Sequence, residues 1–449
     1  MTTTLEAPVR AFRERLLRET VNWCMTRSPW YDERFSAAVA QGFHGLDDLP
    51  RLPVLFRDEA VANADRILCR HEQPACVQYT TGTTGNLFHL YRSHNEVDFI
   101  SAFYSQLAAA THAKDTTRPL WLSLTSAYHG TPTPVPGWPF IVSAGVHDRT
   151  QARQAYALLT KEFAFPGVES RISGIAGGDI LLKALTAYLM DEEIDPGSFG
   201  IRQIAVTGGF MSPALKRLLT EVWGATLTDR YSISEVYGGA SQSGPGGPWV
   251  FDTEIIPEVL HPRTLQPVRR GLGTLVLTGL YPFMQMMPMV RYYTGDLVEI
   301  VPHRDAESDL AVRFLGRERR SIVDTSDTDV RPLLLSGPLL EIVESFPDVA
   351  KTARFRDLCS GDALELAGKV HLSVNSRTDS TGAPRSITLT LGMRYAPWMF
   401  PERATAVRTR VRHQLYHRFP ALRANVQDGL TRLDVVLAPA SKVAAYNAK

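Results

Sequence analysis

Tyr79-Thr80-Thr81-Gly82-Thr83-Thr84-Gly85-Asn86 is the stretch on which the reading of this chain turns. Threonine and glycine alone fill positions 80 to 85, after Cys76-Val77-Gln78-Tyr79, a short run that reads as a strand. Glycine, lacking a Cβ, lets backbone turn sharply and approach a ligand closely. Threonine hydroxyls and the N–H groups of such a loop donate to phosphate oxygens. Phe88-His89-Leu90-Tyr91 reads as the next strand, so the loop joins two strands. It is not a Walker loop: Gly82 and Gly85 stand too close, and no Gly-Lys-Ser/Thr follows. Taken alone it reads equally well as a polar hairpin turn, and the rest of the chain has to decide.

At 449 residues the chain has the length of roughly two to three domains. Its 44% hydrophobic and 21% charged residues are those of a globular protein able to bury large cores without staples. A net charge of +1 gives no bulk electrostatic argument for nucleic acid or a membrane as partner. Met1 to Glu6 has neither the basic nor the apolar region of a secretory signal. The most apolar window, Leu272 to Val290, is broken by Gly273, Thr274, Gly279, Pro282, Gln285 and Pro288, and reads as buried strand and turn. Four cysteines make no disulfide scaffold, and a reducing cytoplasm is the expected setting.

Val9, Phe12, Leu16, Leu17, Val21 and Cys24 recur at helical spacing, and Ser28-Pro29 breaks that helix. Beyond the Thr/Gly loop, helices are expected over Glu96 to Ala113, Gln151 to Glu162, Asp179 to Leu189 and Ser212 to Val222. Strands are expected at Leu120 to Leu124, Phe140 to Ala144, Ile172 to Ala176 and Ile201 to Val206. Strands alternating with helices argue for α/β architecture with parallel-type sheets flanked by helices. From Trp249 the texture becomes that of a β-rich subdomain, and after Gly316-Arg317 a small α+β pattern begins. These shifts divide the chain into a large N-terminal domain (1–315), a hinge (316–320) and a small C-terminal domain (321–449).

Four further segments join the loop. Thr207-Gly208-Gly209-Phe210 is a glycine turn at a strand end, where open α/β sheets bind ligands. Tyr231-Ser232-Ile233-Ser234-Glu235 sets an aromatic face four residues from a carboxylate. Tyr293-Thr294-Gly295-Asp296 puts a carboxylate on a glycine turn, suited to accept from a diol, and Phe314-Leu315-Gly316-Arg317 closes the set.

In this order the five segments resemble the acyl-adenylate-forming superfamily of acyl-CoA synthetases and free-standing adenylation domains. Arg27 to Phe35, Leu49 to Asp58 and Glu258 to Thr264 are similar to the phenylacetate–CoA ligase branch. The likeness covers about residues 20 to 320 and only loosely the remainder. It implies ATP-dependent activation of a small, aromatic carboxylic acid as acyl-AMP, release of pyrophosphate, and transfer to CoA. Thr80, Thr81, Gly82, Thr83, Thr84 and Gly85 would then hold phosphates, and Gly208, Gly209 and Phe210 would line the adenine and acyl pockets. Tyr231, with Ser232 and Ser234 beside it, would stack on adenine. Glu235 would ligate Mg²⁺, and Asp296 would accept from the ribose with Arg317 beside it. Tyr128 and His129 would border the acyl group, and Lys442 would neutralise charge in the adenylation step. The branch is often dimeric.

The departures are specific. Asn86 stands where the family loop carries lysine, leaving Arg92 or Lys114 as substitutes; Ser232 follows the stacking tyrosine in place of glycine; Arg319 occupies the hinge. Pro439-Ala440-Ser441-Lys442 lacks the family's glycine, and Lys449 is the rival lysine. An amine or a carrier-protein thiol therefore stays open as acceptor, as does a nucleotide binder without ligase activity. Outside its motif, Glu235 reads as a surface turn carboxylate. Cys69, His71 and Cys76 have no common zinc spacing and no fourth ligand. The arginines at 403, 408, 410, 412 and 418 read either as a contact for CoA phosphates or, more commonly, as a solvated helix face.

Overall fold

The computed structural model describes residues 6–81, 87–112, 115–125, 139–244, 246–302, 310–325, 329–353, 368–378 and 384–446. The Thr/Gly loop connects β1 (Pro74–Thr81) to β2 (Leu87–Ser93), an antiparallel pair that forms its own two-stranded sheet. Ser93 then starts the helix His94–Thr111 with a reciprocal cap. Its hydroxyl accepts from the Glu96 N–H at 3.0 Å while Glu96 reaches back to the Ser93 N–H.

The parallel strands are β3 (Arg118–Leu124), β4 (Phe140–Ala144), β5 (Val168–Gly178), β6 (Gln203–Thr207) and β7 (Thr226–Ile233), in the order β4-β3-β5-β6-β7. Helices Arg149–Thr160, Asp179–Asp191 and Pro213–Trp223 connect and cover them, and an apolar core of β3, β5, β6 and β7 residues closes on Leu182, Leu185, Leu219 and Trp223. This is the alternation expected from the sequence.

The later strands do not form a detached unit. β8 (Val236–Ser243) folds back antiparallel on β7, and β9 (Trp249–Phe251), β10 (Ile255–Leu260), β11 (Gly271–Gly279), β12 (Tyr292–Ile300) and β13 (Ala311–Arg317) extend the same sheet to eleven strands among the described residues. The β-rich region is thus the antiparallel half of one mixed sheet, joined through the tight β7–β8 turn. Its inner face packs against the N-terminal helices Glu6–Arg27 and Pro29–Ala40 through Leu16, Leu17, Trp30, Tyr31 and Phe35. Leu55 bridges Tyr292, and the buried Arg291 seals that join. Its guanidinium pairs with Glu258 at 2.9 Å and donates to the carbonyls of Pro50 and Leu52.

Beyond β13 come β14 (Ile322–Asp324), β15 (Arg331–Leu334), helix Ser336–Glu344, β16 (Lys351–Ala353), β17 (Gly368–Val370) and a three-stranded sheet of β18 (Leu372–Thr378), β19 (Pro384–Met393) and β20 (Arg432–Pro439). Helices Pro401–Arg418 and Pro420–Gln427 pack on it, and its core also takes in Leu272, Leu297 and Leu315 from the large sheet. No described helix is long and apolar enough to cross a membrane.

Candidate active site

Parallel register places the ends of β5, β6 and β7 side by side, with Thr207 opposite Arg230, so Gly208 and Tyr231 emerge at one edge of the sheet. The β7–β8 turn carries Ser234 and Glu235 over that edge. β12 brings in Tyr292 and Asp296, and β13 pairs Arg317 directly with Asp296. Residues from distant parts of the chain therefore meet where open sheets bind ligands.

Asp296 is buried, and both carboxylate oxygens are engaged. Oδ2 accepts from the Tyr231 hydroxyl at 2.8 Å and Oδ1 faces Arg317 Nε at 3.1 Å. Arg317 also donates to the Thr294 carbonyl at 2.6 Å. Burial, then the Asp296 charge, drives the Tyr231 phenol well above its usual range. Burial opposes the Arg317 charge most strongly, but Asp296 together with Tyr231, Glu235 and Tyr292 holds that pKa above the usual value. The Tyr231 ring stacks on Phe314 with centroids 4.1 Å apart, so the tyrosine is fixed at both ring and hydroxyl.

Glu235 is equally buried and has its own arginine and tyrosine: Arg57 Nη1 donates to Oε1 at 2.8 Å and the Tyr292 hydroxyl donates to it at 3.2 Å. Burial, then Glu235, pushes the Tyr292 phenol upward. The Arg57 guanidinium lies 5.4 Å from the Phe88 ring centroid, and Phe88 sits opposite Thr80 in the β1–β2 ladder. Arg57 therefore stands between Glu235 and the foot of the Thr/Gly hairpin. Sequence alone does not single out Arg57; its place after the Leu49 to Leu55 connector is the available signal.

Arg92, a proposed substitute for the lysine missing at position 86, is occupied otherwise. It bonds Glu96 at 2.8 Å and the Ser234 carbonyl at 2.9 Å, which ties β2, the following helix and the Glu235 turn together. Gly208 has φ +119, a conformation that favours glycine. The Gly209 N–H donates to Asp179 Oδ1 at 2.9 Å, and a Cβ there would lie 2.7 Å from Asp179 Oδ2. The Phe210 ring packs towards Gly337 at the start of the small domain's first helix. Ser232 is exposed with its hydroxyl 3.3 Å from that of Thr207, and Ser234 is exposed.

At the expected hinge, Glu318 accepts from the Tyr293 hydroxyl at 2.6 Å and from Thr274 at 3.1 Å. Burial, then Arg320 and Arg317, lowers the pKa of Arg319. Lys442 is exposed on the turn Ala440–Lys442. Thr80 and Thr81 end β1, but their side chains lie outside the described set, as do Gly82, Thr83, Thr84, Gly85, Asn86, Lys114, Tyr128, His129 and Lys449. Cys69 is buried with its thiol pushed up to about 12 by burial, while His71 and Cys76 are exposed. No three His, Cys, Asp or Glu side chains converge as a metal site among the described residues.

No family model matches the chain. Over 362 residues it is 25% identical to a phenylacetate-coenzyme A ligase of Thermus thermophilus, covering 76% of this chain and 77% of that protein. A stretch of 114 residues is 31% identical to the phenylacetate-coenzyme A ligase of Pseudomonas putida, 24% of this chain and 26% of that one. The chain is thus similar in sequence to phenylacetate-coenzyme A ligases. Its fold is shared with solved structures. 2-Hydroxyisobutyryl-CoA ligase, in an open conformation with 2-HIB-AMP and CoA, superposes with a TM-score of 0.62 at 16% identity, over 97% of this chain and 88% of that one. Its postadenylation form with R3-HIB-AMP gives 0.61 at 15%, over 97% and 86%. The tyrosine, aspartate and arginine of the motifs share one set of hydrogen bonds, and the glutamate has its own with Arg57 and Tyr292.

Proposed function

We propose that the chain is an AMP-forming ligase of the acid–thiol type, which activates a small carboxylic acid with ATP and passes the acyl group to CoA. The observation that carries this reading is the pair of buried carboxylates, Glu235 and Asp296, each braced by one arginine and one tyrosine at the sheet edge. Each carboxylate is held in a fixed direction by its two donors.

The donor set fits the groups that the reaction needs. Asp296 and Arg317 offer an acceptor and a cation for the ribose and α-phosphate side. Tyr231 and Phe314 offer aromatic surface for adenine. Glu235 offers a carboxylate suited to Mg²⁺, a hard ion usually held by one or two carboxylates plus phosphate oxygens. Bound there, Mg²⁺ would neutralise phosphate charge while the acid attacks the α-phosphorus in line. Arg57 supplies the positive charge at the hairpin foot that the loop, ending in Asn86, does not carry. Aligning the two reactants is the rest of the chain's task. An aromatic acid is the substrate class suggested by the phenylacetate-coenzyme A ligases among its relatives. Residues 316–320 form the hinge about which the small domain turns between the two half-reactions.

Acid-dependent ATP–pyrophosphate exchange over a panel of aromatic, aliphatic and amino acids tests the reading, with Glu235→Ala as control. Exchange with one acid class that is lost in the control, and AMP release accelerated by CoA, is the expected result. ATP binding with no exchange for any acid, CoA present or absent, would overturn it.

A further inference from the structure

Trp398, Met399 and Phe400 stand exposed in a row, at 68%, 67% and 48%, on the short turn Pro397–Met399 and the residue that follows it. Pro397 and Pro401 restrict the backbone on either side. Tyr395 braces the turn from beneath: its ring meets Phe400 edge-on with centroids 5.4 Å apart, and the Arg403 guanidinium lies 5.0 Å from its centroid. The result is a braced, exposed apolar knuckle. Contiguous exposed side chains of this size mark a surface that something else covers.

The charge around the knuckle says what kind of surface covers it. From Arg394 to Arg423 the sequence holds seven arginines and one acidic residue, Glu402, in a chain whose net charge is +1. All seven arginines are exposed. Arg394 and Arg403 flank the knuckle in sequence, and the others run along the helix Pro401–Arg418 and into the next. Arg403 pairs with Asp348, Arg408 donates to the Val435 carbonyl, and Arg410 covers the Phe346 ring. The near-neutral average of the whole chain hides this local concentration.

We propose that the Trp398–Phe400 knuckle, with the arginines around it, docks the small domain on an anionic lipid surface. Three consecutive exposed apolar side chains sink independently into a fluid interface, with tryptophan at headgroup depth. Arginine pairs with lipid phosphate while its alkyl stem stays in the apolar layer. With one short apolar insertion and a polybasic flank, the attachment is weak, reversible and salt-sensitive.

Vesicle co-sedimentation of the full chain tests this, using equal parts phosphatidylcholine and phosphatidylglycerol against phosphatidylcholine alone. Binding to the anionic vesicles is expected, falling about tenfold or more in the combined Trp398→Ser/Met399→Ser/Phe400→Ser variant and with added salt. The Arg394→Gln/Arg423→Gln variant, which leaves the knuckle intact, should lose part of it. Unchanged thermal unfolding and unchanged ATP–pyrophosphate exchange in both variants would show that the fold and the adenylation site are untouched. Absence of binding at low salt overturns the proposal, as does binding that the knuckle variant leaves unchanged. Equal retention by polyglutamate, insensitive to the knuckle variant, overturns it in favour of a general polyanion surface. Self-association of the wild type that the knuckle variant abolishes overturns it in favour of a second copy of the chain.

Discussion

Glu235 and Asp296 share a pattern of one carboxylate, one arginine and one tyrosine, yet their partners come from opposite directions along the chain. Arg57 and Tyr292 reach Glu235, while Tyr231 and Arg317 reach Asp296. Replacing Glu235 by Gln keeps the shape but removes the charge proposed to hold Mg²⁺, so pyrophosphate exchange should fall roughly a hundredfold or more. Thermal unfolding should move little by comparison. Arg57→Ala should lower kcat/KM for ATP by more than about tenfold, with partial recovery in Arg57→Lys, because charge survives but the fork geometry does not. Unchanged exchange in Arg57→Ala would remove Arg57 from the proposed site. The motif residues were legible in the sequence because each chemical role demands a residue type beside a turn. Arg57 was not, because its role arises only when the Leu55–Tyr292 bridge lays the N-terminal connector against β12.

The hinge and the hairpin support are matters of elements. Gly316 has φ +110, and an added Cβ would collide with the Ser336 hydroxyl and come within 2.8 Å of the Gly337 nitrogen. Gly316→Ala should therefore cost about 1–3 kcal/mol, read from the urea midpoint, and should slow turnover wherever the small domain has to move. Behind the Thr/Gly hairpin, Glu96 is wholly buried and accepts from Arg92 and from the backbone N–H groups of Gln285 and Met286. Glu96→Ala leaves Arg92 buried without its partner. A loss of roughly 3–5 kcal/mol is expected, visible in the denaturation midpoint. Helix and strand periods made most of these elements readable, with ends differing by a few residues. What the pattern did not tell was that β8 to β13 continue the parallel sheet. Strand neighbours are set by the β7–β8 turn and by long-range pairing, and both halves alternate or run apolar alike.

For the whole molecule, the junction between the two parts carries a pH dependence. Glu344, at the end of the first small-domain helix, has a carboxyl raised above its ordinary 4.5 by burial, against the pull of Lys183 and Lys351 and a hydrogen bond from Ser212. A raised carboxyl favours the folded state while it is protonated. Its contribution is therefore full below the ordinary value and is lost as pH rises through the folded value. Glu344→Gln should flatten the decline in the urea midpoint above about pH 4.5, and an unaltered slope would assign that decline to other groups. The division at 316–320 was read from a change in texture, but the sharing of Leu272, Leu297 and Leu315 with the small domain's core could not be. Arg291 has a consequence for synthesis. The carbonyls it binds, on Pro50 and Leu52, leave the ribosome some 240 residues earlier. At roughly 5–20 residues per second, the N-terminal helices wait on the order of ten to fifty seconds for the strand end that covers them. Throughout that interval Leu16, Trp30 and Phe35 lack their covering surface, which leaves the nascent N-terminal helices open to capture by a chaperone.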